Sequence, residues 1–548
     1  MRISNRNAKN TIKGEKNMKN ERVALTDSLK RKLVSADEAV RLIPDGGIVH
    51  IAGTALVCSP AKIFKSIGES FLATGHPRDL CLVSYGSPNT DVPGYNYFEY
   101  MTHKGILKRV IGGHMGYHHP LFPLIRSNEV EGYNMSQGVM SIMMSEYIAD
   151  KDGYLTKVGI RTQQDPRQEG CKLNVGLEME DLVELRIIDG QEYLWYKMIR
   201  PDVIVLKGSY ADANGNISFD AEPSDNDALI SAMAAKTHGG KVIMYVKAVK
   251  EERFNPRLVT IPHFLVDAIV VDPDHVQAAP HLAYSPYFSN EERCSEDELQ
   301  IILENETKNS VRKREIAQKV IARRAAMELY PNAVVNIGLG IPQMVSGEAI
   351  SLGIDMSSVI MTTETGIIGG VQLPSVFGVS MNADSVFEQS SQFRFYEGGG
   401  LDIGILGALE VDAAGNVNVC KKGPTLAGVG GFNFIVYSAK KLVFCFPFMR
   451  GSGYNSENGI LIPYDGKEAK LVKKVECITM NAGVEFENNK TVLYVTERCV
   501  FKLKENGLEI IEIAPGIDLK KDILDLLDFT PSIAEDLKEM PNICFELE

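Results

Sequence analysis

The sequence predicts an α/β protein built as two related open-sheet domains in one chain, and three observations carry that expectation. Short β-branched runs alternate with glycine-rich turns and helical stretches, as in "GGIVHIAG", "DVIVLKGS", "KVIMYVKAV", "AVVNIGLG", "DIGILGALEV" and "KLVFCF". Several are apolar throughout, which suits strands covered by helices on both faces. The chain has 548 residues, more than one compact core organises. The two halves also echo each other: "GGIVHIAGTALVCSP" (46–60) resembles "NAVVNIGLGIPQMVS" (332–346), "ADANGNIS" (211–218) resembles "VDAAGNVN" (411–418), and "GKVIMYV" (240–246) resembles "AKKLVFC" (439–445).

Taken in order, the basic and polar residues 1–21 read as a disordered tail, with Met18 a second candidate start. Residues 22–290 form the expected N-terminal domain. His50 and Asn336 lie 286 positions apart but Asp212 and Asp412 only 200, so the first half carries about 86 more residues between these landmarks. An insertion over the sheet edge accounts for them. Residues 291–315 are charged and free of strand signals, and read as a linker. They run into "IAQKVIARRAAMELYP", whose apolar residues recur near helical spacing and open the expected C-terminal domain, 316–548.

Composition narrows the function. Hydrophobic residues make up 44 % and charged ones 24 %, the balance of a soluble globular protein. A formal charge of −13 disfavours nucleic acid as a partner. Nine cysteines are scattered without a C-x-x-C pair, which argues against a disulfide framework or zinc site and for reduced thiols in a cytoplasm. No apolar run reaches the length of a membrane span, and the N-terminus lacks the apolar core of a signal peptide.

The motifs exclude more. In "NIGLGIPQ", Gly338 and Gly340 follow a strand, but Gln343 occupies the third glycine position of the dinucleotide fingerprint and Pro342 removes an amide there. No P-loop and no G-x-S-x-G elbow is present. His114, His118 and His119 of "GGHMGYHHP" lack a matching carboxylate or cysteine set, so structural roles outweigh metal ligation, and no metal site is expected. The stretch that asks for chemistry is "VIMTTETGIIGGVQLP" (359–374). It mounts one acid, Glu364, at the lip of a buried-type strand, where open α/β sheets place ligands. Gly366, Gly369 and Gly370 then clear the side chains beyond it. A second glycine run, "YEGGGLDIG" (396–404), supplies candidate backbone amides for a developing negative charge.

The span "TTETGIIGGV…FGVSMNADSVFEQSSQFRFYEGGGLDIGILGALEVDAAGNVNV" resembles the C-terminal half of a family I CoA-transferase, nearest the acetate/propionate group and related to succinyl-CoA:3-oxoacid CoA-transferase. "GGHMGY", "VEGYNMSQGVMS", "TKVGIRTQQDPRQEGCKLN", "NIGLGIP" and the tail "YVTERCVFKLKENGLEIIEIAPGIDLKKDIL" extend the likeness over nearly the whole chain. The resemblance implies that Glu364 is the catalytic glutamate and that Gln137 helps hold the acyl oxygen. It implies that Gly398, Gly399 and Gly400 line the CoA thioester, with the amides of 399–400 as oxyanion donors. It places Gly338, Gly340 and Gly53 in glycine loops around the site, with Gly366 in the E-x-G context. Coenzyme A would be a substrate, with no resident cofactor. Short-chain acyl-CoA and carboxylic acids would be the partners, in a cytoplasmic homo-oligomer, a dimer or tetramer. Arg161, Gln163 and Gln164 stand where the family has a glycine and small or aromatic residues, which leaves the acid acceptor open. The expected reaction is ping-pong transfer through a glutamyl-CoA thioester. An acyl-CoA hydrolase with Glu364 as general base is the nearby alternative, and a scaffold without turnover the one from another class.

Overall fold

The computed structural model describes residues 22–280, 284–295, 297–299, 301–302, 315–373, 376, 378–457 and 460–546. The expected tail, 1–21, and residues 303–314 of the expected linker lie outside the described residues. Within them the protein builds two open sheets, as the alternating pattern predicts. The first runs Ala268–Val271, Lys241–Val249, Val203–Ala211, Ile48–Ile51, Leu80–Ser84, Leu107–Gly112, Glu131–Asn134, all parallel. The second has a parallel centre, Ile360–Thr362, Val334–Ile337, Ile403–Gly407, Lys441–Cys445, Thr491–Val495, extended at both sides by antiparallel neighbours.

The central strands are buried almost without a break, Val203, Ile204, Val205 and Leu206 in one sheet and Ile403 and Ile405 in the other. That is why their sequences read as continuous apolar runs instead of alternating ones. The expected helix at the start of the second half spans Ile316–Ala326 and buries Val320, Ile321 and Ala325.

The internal echo is a structural repeat. Val49 pairs with Leu82 on one side and Val203 on the other; Val335 pairs with Met361 and Ile403. Val203 and Ile403 then pair with Lys241 and Lys441. Past these strands, Asp212 and Asp412 close the same turn: each carboxylate accepts the backbone N–H groups two and four residues on, Asn214 and Asn216 or Ala414 and Asn416. Gly215 and Gly415 sit at the same positive φ of 91°. Side-chain to backbone bonds of this kind hold a turn without help from the rest of the fold. The extra residues of the first half lengthen its sheet beyond Leu80–Ser84 and add a three-stranded antiparallel sheet, Gly153–Thr156, Gln191–Lys197, Val183–Ile188.

Candidate active site

Glu364 sits at the second position of a tight turn. The Gly366 N–H returns to the Thr363 carbonyl at 3.2 Å, and the Thr363 N–H reaches the Ile367 carbonyl at 3.0 Å. The Thr363 and Thr365 hydroxyls bond each other at 2.7 Å, and Thr365 donates to the Gly378 carbonyl. Gly366 adopts φ 90°, and a Cβ there would meet the Phe387 carbonyl oxygen at 1.9 Å, so only glycine closes the turn. The acid is therefore held on a rigid corner between two strands and is only 6 % exposed.

Its floor is polar and buried. The Thr362 hydroxyl meets Tyr396 Oη at 2.7 Å, and Asn336 Nδ2 donates to Tyr396 Oη at 3.2 Å and to the Thr362 carbonyl at 3.3 Å. Burial raises the Glu364 carboxyl above the usual carboxylate range, while its own backbone N–H and the Asn336 side chain pull the other way.

Across the carboxylate lies a segment absent from the sequence-based candidates, Gly430 and Gly431. A Cβ on Gly431 would come within 2.7 Å of Glu364 Cγ and 3.1 Å of Oε1, so bare backbone touches the acid. Among the described residues the Gly431 N–H meets no acceptor. The first half joins this segment directly. The Gln137 N–H donates to the Gly430 carbonyl at 2.9 Å, and the Gly430 N–H to the Gly113 carbonyl at 3.0 Å. A Cβ on Gly430 would lie 3.8 Å from Gln137 Oε1 and 3.7 Å from His114 Cβ. Glu364, Gln137, Gly430, Gly431 and His114 thus meet where the two halves abut. A cavity of about 30 Å³ beside Lys207, Tyr245 and His275 has room for no more than a couple of waters and excludes Glu364.

Comparison with known proteins decides the family. The chain is 39 % identical over 525 residues to the caffeate CoA-transferase of Acetobacterium woodii, covering 94 % of this chain and 97 % of that protein. The chain belongs to the coenzyme A transferase family. The family pattern described as "Coenzyme A transferase" matches residues 33–272. The acetate CoA-transferase YdiF of Escherichia coli strain K12 is 36 % identical over 519 residues, 94 % of this chain and 95 % of that protein. The crystal structure of the acyl-CoA transferase YdiF from Escherichia coli O157:H7, in thioester complex with CoA, superposes with a TM-score of 0.85 at 33 % identity. It covers 95 % of this chain and 98 % of that one.

In this CoA-transferase the expected site residues fall into two groups. Gly338 and Gly340 open the loop after Val334–Ile337, the strand beside Ile360–Thr362, on the same sheet edge as Glu364. Gly53, at φ 111°, folds the 53–59 loop onto Ser59, and the next residue, Thr54, bridges Gly86. Gly398, Gly399 and Gly400 are elsewhere, and their expected role as oxyanion donors is corrected. They end the helix Gln389–Glu397, and their N–H groups are spent on the carbonyls of Arg394, Tyr396 and Phe395. They precede the strand Ile403–Gly407, while Glu364 follows its strand, so the triplet lies on the opposite edge of a parallel sheet. The run that looked like an anion cradle is a helix C-cap.

Of the departures near 161–164, Arg161 turns outward to Glu487 at 3.1 Å. Gln164 braces the stretch before Gln137, accepting the Ser136 N–H and donating to the Asn134 carbonyl. Gln163 lies beside it, its Nε2 3.5 Å from Asn134 Oδ1. His118 is buried between the Ser84 and Ser87 hydroxyls, and His119 faces Asp91. Among the described residues no three His, Cys, Asp or Glu side chains gather as a metal group, and no helix is long and apolar enough to cross a membrane.

Proposed function

We propose that the chain moves CoA between a short-chain acyl-CoA and a carboxylic acid such as acetate or propionate, by ping-pong catalysis through a glutamyl-CoA thioester on Glu364. The observation that carries this reading is a buried carboxylate on a rigid turn with bare glycine backbone pressed against it. An ionised carboxylate needs no base to activate it; it needs placement and desolvation, and both are present.

The steps balance as follows. A Glu364 oxygen attacks the acyl carbonyl of acyl-CoA and expels CoA thiolate, leaving a mixed anhydride. The thiolate attacks the glutamyl carbonyl, forming the glutamyl-CoA thioester and releasing the free carboxylate. A second carboxylate attacks that thioester, and the same two steps in reverse release its CoA ester. Each tetrahedral intermediate carries an oxyanion. The Gly431 N–H, on backbone pressed against the acid, and the hydrogen on Gln137 Nε2 not given to Gln389 are the candidate donors, and losing one such donor costs about 3 kcal/mol of barrier.

Exchange of isotopic label between acetate and acetyl-CoA tests the reading. The parent protein exchanges label and Glu364→Ala does not. Steady release of free CoA with no acid acceptor present would instead make the protein a hydrolase with Glu364 as general base.

A further inference from the structure

Gln137 reaches the site through a hydrogen-bonded relay that crosses between the halves. Its Nε2 donates to Gln389 Oε1 at 2.9 Å, and Gln389 Nε2 donates to Asp227 Oδ2 at 3.4 Å. The Asp227 carboxylate also accepts the Ser141 hydroxyl and, at 2.8 Å, the Ser390 backbone N–H. Gln137, Ser141, Asp227 and Gln389 are each at most 3 % exposed, so water does not compete for these bonds.

A side-chain amide has a donor end and an acceptor end of nearly equal size, and only its partners decide which way it lies. A carboxylate accepts and never donates. Asp227 therefore draws the NH₂ of Gln389 toward itself and turns the Gln389 carbonyl toward Gln137. That carbonyl holds the Gln137 NH₂ in turn. We propose that Asp227 is a positioning residue for CoA transfer: its carboxylate sets the orientation of Gln389 and, through it, which end of the Gln137 amide serves the reacting carbonyl. The proposal rests on the reading of Gln137 as an oxyanion donor.

An amide at position 227 would reverse the relay. Its NH₂ would pair with Gln389 Oε1, the Gln389 NH₂ would then face Gln137, and Gln137 would exchange donor for acceptor with no change in volume. Acid has a related effect. Burial lifts the Asp227 carboxyl to about 7, and Asp225 on the same loop adds to the rise. Tyr85 and Glu388 are the other titratable groups beside this pair: Asp227 raises the Tyr85 phenol, and Asp225 raises the Glu388 carboxyl.

The test is single-turnover loading of the full-length protein by saturating acetyl-CoA, followed as CoA mass added to the chain, in Asp227→Asn, Gln137→Ala and the double variant. The expected result is at least tenfold slower loading in each single variant, a KM for acetyl-CoA within twofold of the parent, and a double variant no slower than the slower single. Loading of Asp227→Asn at the parental rate, or losses that multiply in the double variant, would overturn the relay while leaving the role of Gln137 intact. Parental loading by Gln137→Ala would sink the donor reading and the relay with it. Should Asp227→Asn lack a cooperative unfolding transition, Gln389→Met cuts the same relay while sparing the bond from Ser390 to Asp227. The same outcomes then decide.

Discussion

In the proposed reaction Glu364 attacks only while charged, and its surroundings make that charge costly. The native protein prefers its proton, so ionisation of Glu364 detracts from stability as pH rises. Glu364→Gln removes that cost, and thermal melts are expected to show a higher Tm at pH 8 than the parent, the gap closing towards pH 4, with transfer abolished. Glu364→Asp keeps the charge but withdraws it by one methylene, and a loss of kcat of about 100-fold is expected in the exchange assay. Gly431→Ala would drive a methyl into Glu364 Cγ, and displacing the acid in this way is expected to cost kcat 10- to 100-fold. Asp227 has a parallel signature in stability. Its carboxyl is raised to about 7, so its contribution is fully present below the ordinary carboxylate range and is lost as pH climbs through about 7. Between pH 5 and pH 8 this amounts to about 2 to 3 kcal/mol, and denaturant titrations of Asp227→Asn are expected to lack that component.

The elements that place these residues were unequally legible. The turn bearing Glu364 could be read directly, because an apolar run followed by close-set glycines marks a strand end and a tight corner. Gly366→Ala is expected to lower stability by roughly 2 kcal/mol or more in denaturant titrations, since its methyl has no space and its φ is left-handed. The glycine triplet was misleading for a physical reason: glycines that end a helix and glycines that cradle an anion look alike until their amides are traced. Gly399→Ala, in open space at φ 81°, is expected to cost about 1 kcal/mol of stability and leave kcat unchanged, as a helix cap requires. The run "AGVGG" before the helix Phe432–Ser438 was the signal for Gly430 and Gly431, a glycine pair at a helix start. Nothing local announces Asp227 or Gln389, which are 162 positions apart and meet only through the packing of the halves.

Over the whole molecule, the repeat explains both the architecture and its asymmetry. The register that aligns Leu82 with Met361 aligns Tyr85 with Glu364 and His50 with Asn336. In the first half these positions hold two packed rings, with centroids 4.3 Å apart, and burial pulls the His50 imidazole down to about 3. The first half has thus filled with aromatic side chains the place where the second half keeps its acid, and it supplies Gln137 to its neighbour instead. Under the proposed mechanism this leaves one reacting carboxylate per chain, and CoA loading is expected to saturate at one equivalent per chain. The most direct measurement is peptide mass mapping of the protein after incubation with acyl-CoA alone. CoA mass on the peptide that carries Glu364, and on no other, is the predicted result. Exchange of acyl groups that proceeds with that peptide unmodified, or with the adduct on a different residue, would contradict it.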